Sequence, residues 1–208
     1  MANPDDSGLD MVEFAAALLL GLAAIAIAWV TLQSDLWGGQ QDEAYTDSVR
    51  QTNLAVGLLR AGDTTRALDQ ILFAEILTSG VCNQGERNDE TACEQVLANM
   101  SDEGAAAVDE WANGNVSNPF ESPNYVDTLS AQGEEARLTS QQLFAEAGEA
   151  NENGDDYELA STVLAVVLFF GGISAVMGDK RVAWALLTLA ALLFIGTTVY
   201  IANLPITS

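Results

Sequence analysis

The sequence predicts an all-α membrane protein in which three transmembrane helices carry an acidic, helical extracytoplasmic domain inserted between the first and the second. Three observations predict it. The 208 residues include 30 acids, 7 cations and no histidine, a formal charge of −23, yet 49% are hydrophobic and the mean hydropathy is +0.16. Those values are compatible only if apolar and acidic residues are segregated along the chain. They are: residues 14–32, 159–177 and 182–204 contain no Asp, Glu, Lys or Arg, while residues 33–157 hold 24 of the 30 acids and 5 of the 7 cations.

Residues 1–13 form a short N-terminal segment and residues 14–32 the first span. At ~1.5 Å rise per residue, such a run crosses a ~30 Å hydrocarbon core as a helix. The rival reading is a cleaved signal peptide, for which "AIA" at 26–28 is a passable cleavage pattern. Against it, the preceding segment carries four acids and no cation, and the apolar run exceeds the usual ~7–15 residues. The second span is assigned to 158–177, a turn to 178–181, the third span to 182–204 and a tail to 205–208. The stretch "ALLTLAALLFIG" is apolar on every face, as a lipid-embedded helix requires.

Lys180 and Arg181 orient this set. Cations beside short loops stay preferentially on the cytoplasmic side, whereas acids contribute little. The turn at 178–181 is therefore expected inside, which by alternation places the N-terminus inside and residues 33–157 and 205–208 outside the cell membrane. Trp37, Tyr157 and Tyr200 then fall at the outer interface, and Phe14 and Trp184 at the inner one, where rings with one wet end are favoured.

Cys82 and Cys93 lie in the segment placed outside, so a disulfide is expected between them. Zinc is the alternative, but two cysteines without a histidine supply at most half of a usual ligand set. Asn99-Met100-Ser101 and Asn115-Val116-Ser117 are permissive glycosylation sequons in the same segment.

Within 33–157 the apolar spacing is helical. Val49, Leu54, Leu58 and Leu59 form one stripe, and Leu68, Ile71, Leu72 and Ile76, with Glu75 intruding, form another. Further helices are expected from about Glu90 to Trp111 and from about Val126 to Asn151. "RAGDTT" reads as a helix stop and cap, "NGNVSNPFESPNY" as a loop, and "NENGDDYEL" as the end of one helix with Asp155 or Asp156 capping the next. The two Gly-Asp turns suggest tetratricopeptide-like units, but the period and aromatic signature are missing. A calcium loop starting at Asn151 fails too, since its sixth and twelfth positions are Asp156 and Thr162.

No catalytic residue, metal site or cofactor is expected. There is no histidine to act as a base, no acid pair stands out, and the spans hold no ionisable group that would mark an ion path. A formal charge of −19 on residues 33–157 excludes nucleic acid as a partner. The spans do carry small residues four apart: Ala17 and Gly21, Ala24 and Ala28, Gly171 and Ala175. Such pairs let helices approach closely in lipid.

The acid excess with a single lysine resembles proteins of extremely halophilic archaea. "LQSDLWGGQQDEAY", together with "ANENGDDYELASTVLAVVLFFGGISA", resembles an uncharacterised group of prokaryotic three-span membrane proteins with a helical extracytoplasmic domain. That resemblance implies architecture and brings no activity. The expected function is a non-enzymatic structural or accessory subunit whose partners are the lipid bilayer and copies of itself or another membrane or envelope protein. A homo-oligomeric channel or transport component is the alternative, and a membrane-tethered enzyme the third reading.

Overall fold

The four prolines stand at 4, 119, 123 and 205, so two long stretches of the chain contain no residue that forbids a helix. Within them residues 6–79 and residues 128–176 each form one unbroken helix. The computed structural model describes residues 6–82 and 90–207; residues 1–5 of the N-terminal segment, 83–89 between the two cysteines, and Ser208 of the tail lie outside the described residues. Among the described residues five helices follow in order: α1 (Asp6–Ser79), α2 (Glu90–Leu97), α3 (Asp102–Ala112), α4 (Thr128–Val176) and α5 (Lys180–Ile201), with one 3-10 turn at Pro119–Glu121. No strand occurs among the described residues.

The helix stop expected at "RAGDTT" is absent, as is the break expected at "NENGDDYEL". An interior glycine costs a helix only ~1 kcal/mol, which packing readily outweighs. Gly62 is buried, and a Cβ there would stand 2.5 Å from Ser130 Oγ, so its glycine serves close approach between α1 and α4. Thr64 bonds back to the Arg60 carbonyl at 2.7 Å within the same helix. At the second site neither acid caps a helix. Asp155 accepts from Asn151 Nδ2 at 3.1 Å, and Asp156 accepts from the Tyr200 hydroxyl at 2.8 Å. The single helix expected from Glu90 to Trp111 is in fact two, because Ser101 leaves helical geometry to cap α3, accepting from Gly104 N.

The chain divides into two compact units, one built from residues up to Thr46 together with Leu143 onward, the other from Asp47–Gln142. In the first unit the opening part of α1, the closing part of α4 and α5 pack on one another. Val12 and Ala16 meet Ala183 and Leu187; Ala23 meets Val167 and Ala190; Val30 meets Tyr157, Ala160 and Leu164. As numbers rise along α1 they fall along α4 and rise along α5, an up-down-up bundle. The buried α1 positions 12, 16, 23, 30 and 33 follow a seven-residue period, the seam of helices that wrap left-handed.

In the second unit the closing part of α1 runs antiparallel to the opening of α4. Ser48 Oγ donates to the Ser140 carbonyl at 2.9 Å, and Ser140 Oγ donates to that of Ser48 at 3.0 Å. The buried α1 positions are Ser48, Ala55, Gly62, Asp69 and Ile76, again seven apart. The expected stripes are therefore corrected: Val49, Leu54, Leu68 and Ile71 are exposed, Leu58, Leu59 and Leu72 are half-buried, and only Ile76 lies fully in the core. Small and polar residues mark this seam because they let two backbones approach. Beyond it, Ile76, Cys82, Cys93, Met100, Val108 and Trp111 form the largest apolar cluster of the unit, with Phe73 set edge-on to Trp111 at 5.0 Å.

Candidate functional site

Two features stand out, one in each unit. In the first, the outer faces of all three helical segments are apolar: Phe14, Ile25, Phe169, Leu192 and Ile195 are between 60% and 73% exposed, and no charged residue interrupts 14–32, 159–177 or 182–204. In water so large an apolar surface invites aggregation; in lipid it is the required finish. Three helices of this chain, α1, α4 and α5, are long and apolar enough to cross a membrane. Among them α1, with 74 residues, greatly exceeds the ~20 that one crossing needs, and only its opening part, residues 14–32, is an uncharged run of that length.

The small residues singled out in the sequence fall in two places. Gly171 and Ala175 face the bundle interior: a Cβ on Gly171 would lie 3.1 Å from Leu20, and Ala175 packs against the cluster holding Val12 and Ala16. Ala17, Gly21, Ala24 and Ala28 are exposed, on the side of α1 roughly opposite its buried seam. Nothing lies within 4 Å of a Cβ placed on Gly21.

Lys180 and Arg181 belong to the first turn of α5. Asp179 caps that helix, accepting from Arg181 N at 2.8 Å and Val182 N at 3.4 Å, so the connection between α4 and α5 is shortened to residues 177–179. At the other end of the unit, Trp37, Tyr157 and Tyr200 come together. Trp37 Nε1 and the Tyr157 hydroxyl both donate to the Pro205 carbonyl at 3.2 Å, while Tyr200 reaches Asp156. Gln33, buried at the apolar seam, exchanges two backbone hydrogen bonds with Thr207. These contacts fasten the segment after α5 to α1 and α4. Its polar partners are too far apart in sequence for spacing to have revealed them.

The second feature is Asp69, a fully buried carboxylate in the second unit. Its Oδ1 accepts from Ser101 N at 2.9 Å; its Oδ2 accepts from Ser101 Oγ at 2.6 Å and from the Tyr125 hydroxyl at 3.1 Å. Among the described residues three donors satisfy this buried carboxylate and no cation pairs with it directly, and such hydrogen bonding is the condition for tolerating it. Ser101 in turn caps α3, and Gly104 leaves the space: a Cβ there would lie 2.6 Å from the Asp69 carboxyl. The Arg66 guanidinium sits over the Tyr125 ring at 5.8 Å, and Tyr125 meets Phe120 edge-on at 5.2 Å. Burial and the Asp69 charge push the Tyr125 phenol up from 10.0 to about 12. The adjoining cavity, between Arg66, Glu103, Tyr125 and Thr128, measures about 30 Å³, room for about two waters. Asp69 therefore ties α1 to the start of α3.

Cys82 and Cys93 stand at disulfide distance, with Cα atoms 5.3 Å apart. Cys82, three residues past the end of α1, adopts a left-handed φ of 64°, and both cysteines lie in the apolar cluster. Among the described residues no group of three or more Cys, Asp or Glu side chains is arranged to hold a metal ion. Asn99 and Asn115 both lie on the surface of this unit.

Fold and site together define an all-helical protein with three helices able to span a membrane and a cysteine pair at bonding distance. No family model, curated protein or solved structure matches the chain.

Proposed function

We propose that this chain is a non-enzymatic integral membrane subunit of a salt-adapted prokaryote, which associates laterally through its spans and presents residues 33–157 as an acidic helical domain outside the cell. The observation that carries the reading is the Ala17, Gly21, Ala24, Ala28 face. It is small, exposed and uncharged, and the chain's own bundle is packed by other residues. A second helix could approach that face closely in lipid. The orientation rests on Lys180 and Arg181, which open α5 beside the short α4–α5 connection, the position where cations hold a short loop inside. The group it resembles in its juxtamembrane stretches shares this plan.

Disulfide cross-linking tests the association. Ala24→Cys in native membranes should form a covalent adduct with a second copy or one defined neighbour, whereas Ala23→Cys, inside the bundle, should not. Equal behaviour of the two variants, or no adduct from either, would remove the support for lateral association.

A further inference from the structure

The two sequons are equivalent as sequence but opposite as structure. Asn99 follows α2 in a tight turn, and its Nδ2 already donates to the Gln95 carbonyl at 2.7 Å. Its hydroxyl partner Ser101 is committed twice, donating to Asp69 at 2.6 Å and accepting from Gly104 N at 2.9 Å, while Met100 between them is buried in the apolar cluster. Presenting that tripeptide to an enzyme would strip Asp69 of two of its three donors, uncap α3 and extract Met100.

Asn115 lies in the irregular segment between α3 and the 3-10 turn, just after Gly114 in a left-handed conformation (φ 75°) that ends the helix. Asn115 and Ser117 are both exposed, and among the described residues Asn115 is engaged through its backbone only, its N–H donating to Glu110 O at 3.0 Å. Val116 is half-buried against the cluster. The residue after Ser117 is Asn118, so no proline blocks the motif.

We infer that Asn115 is the N-glycosylation site of this protein and that Asn99 stays unmodified in the folded chain. The proposal rests on the external placement of residues 33–157. The donor is a lipid-linked sugar phosphate. The Asn115 amide nitrogen attacks the anomeric carbon and a C–N bond forms as the C–O bond to the lipid phosphate breaks. The amide loses one proton to a base of the transferase, and the lipid phosphate leaves with the electron pair. Ser117 supplies the hydroxyl that the transferase reads.

The test expresses the full chain in a host whose membrane carries an oligosaccharyltransferase and its lipid-linked donor, with peptide mass spectrometry reading both asparagines. Sidedness is measured in parallel by adding protease to intact cells. The expected result is sugar on Asn115 alone, seen as one electrophoretic step that vanishes in Asn115→Gln and Ser117→Ala and persists in Asn99→Gln. Sugar on Asn99, or a bare Asn115 on a domain cleaved from outside, would overturn the site while leaving the topology intact. A domain protected from external protease would overturn both.

Discussion

Gln33 and Thr207, 174 positions apart, exchange two hydrogen bonds: Gln33 Nε2 donates to the Thr207 carbonyl at 3.2 Å and Thr207 N donates to Gln33 Oε1 at 3.0 Å. The Gln40 amide adds a bond to the Thr207 hydroxyl. A buried glutamine on an otherwise apolar seam costs stability unless satisfied, and here the segment after α5 satisfies it.

Gln33→Leu should therefore release that segment. The variant keeps the bundle but leaves the Thr207 N–H unpaired, at a cost of about 1–3 kcal/mol. Carboxypeptidase should trim it faster than the parent protein in detergent. Unchanged trimming would show that the segment is held by other means.

At Asp69 the prediction concerns the whole second unit. Asp69→Ala removes the acceptor for three donors and should destabilise by roughly 3 kcal/mol or more, whereas Tyr125→Phe, which removes one donor, should cost about 1 kcal/mol. Denaturant unfolding of both variants checks the ratio. Equal effects would contradict the role given to Ser101.

The raised Tyr125 phenol sets a pH dependence. Its folded pKa, about 12, lies above the ordinary phenol value of 10.0, so the fold binds this proton more tightly than the unfolded chain does. The resulting stabilisation is complete below pH 10 and is lost as pH rises from about 10 to 12. Unfolding midpoints followed across that window should fall more steeply for the parent than for Tyr125→Phe. Parallel slopes would contradict the raising of this phenol by its burial and by the Asp69 charge.

Glycine substitutions separate close approach from mere tolerance. A Cβ on Gly133 would lie 2.9 Å from the Leu59 side chain and 3.1 Å from its backbone N, so Gly133→Ala should destabilise by about 1–3 kcal/mol. Gly39 has nothing within 4 Å in the middle of α1, and Gly39→Ala should stabilise by about 0.5–1 kcal/mol. Thermal melts in detergent read both signs.

Reduction tests the cysteine pair. Cys82 and Cys93 are 11 positions apart, and removing a link that closes a loop of this size costs on the order of 3 kcal/mol in the chain-entropy view. Cys82→Ser with Cys93→Ser should lower the unfolding free energy by that amount and make the protein insensitive to reductant. Stoichiometric thiol labelling of the unreduced parent would contradict the bond itself.

The spans were legible because lipid demands something simple: an uncharged run of sufficient length, which 14–32, 159–177 and 182–204 display directly. The seams were not. Ser48, Ala55, Gly62, Asp69 and Ile76 share a seven-residue period but no common polarity, so a search for apolar stripes selected Leu54 and Ile71, which are exposed. The Gly-Asp pairs at 62–63 and 154–155 misled for a related reason: without a nearby proline, glycine only weakens a helix, and tertiary contacts decide whether it ends. Asp69 was one acid among many. Its distinction lies in Ser101 and Tyr125, 32 and 56 positions away. The seven-residue period was the available signal for it, since it places a charged side chain where Ala55 and Ile76 are buried.

The measurement that tests the central claim most directly is the mass and subunit composition of the complex extracted gently from its native membrane in concentrated salt. The account predicts an assembly of defined stoichiometry, either identical copies or this chain with a second membrane or envelope protein. A monodisperse monomer that co-purifies with nothing would contradict it.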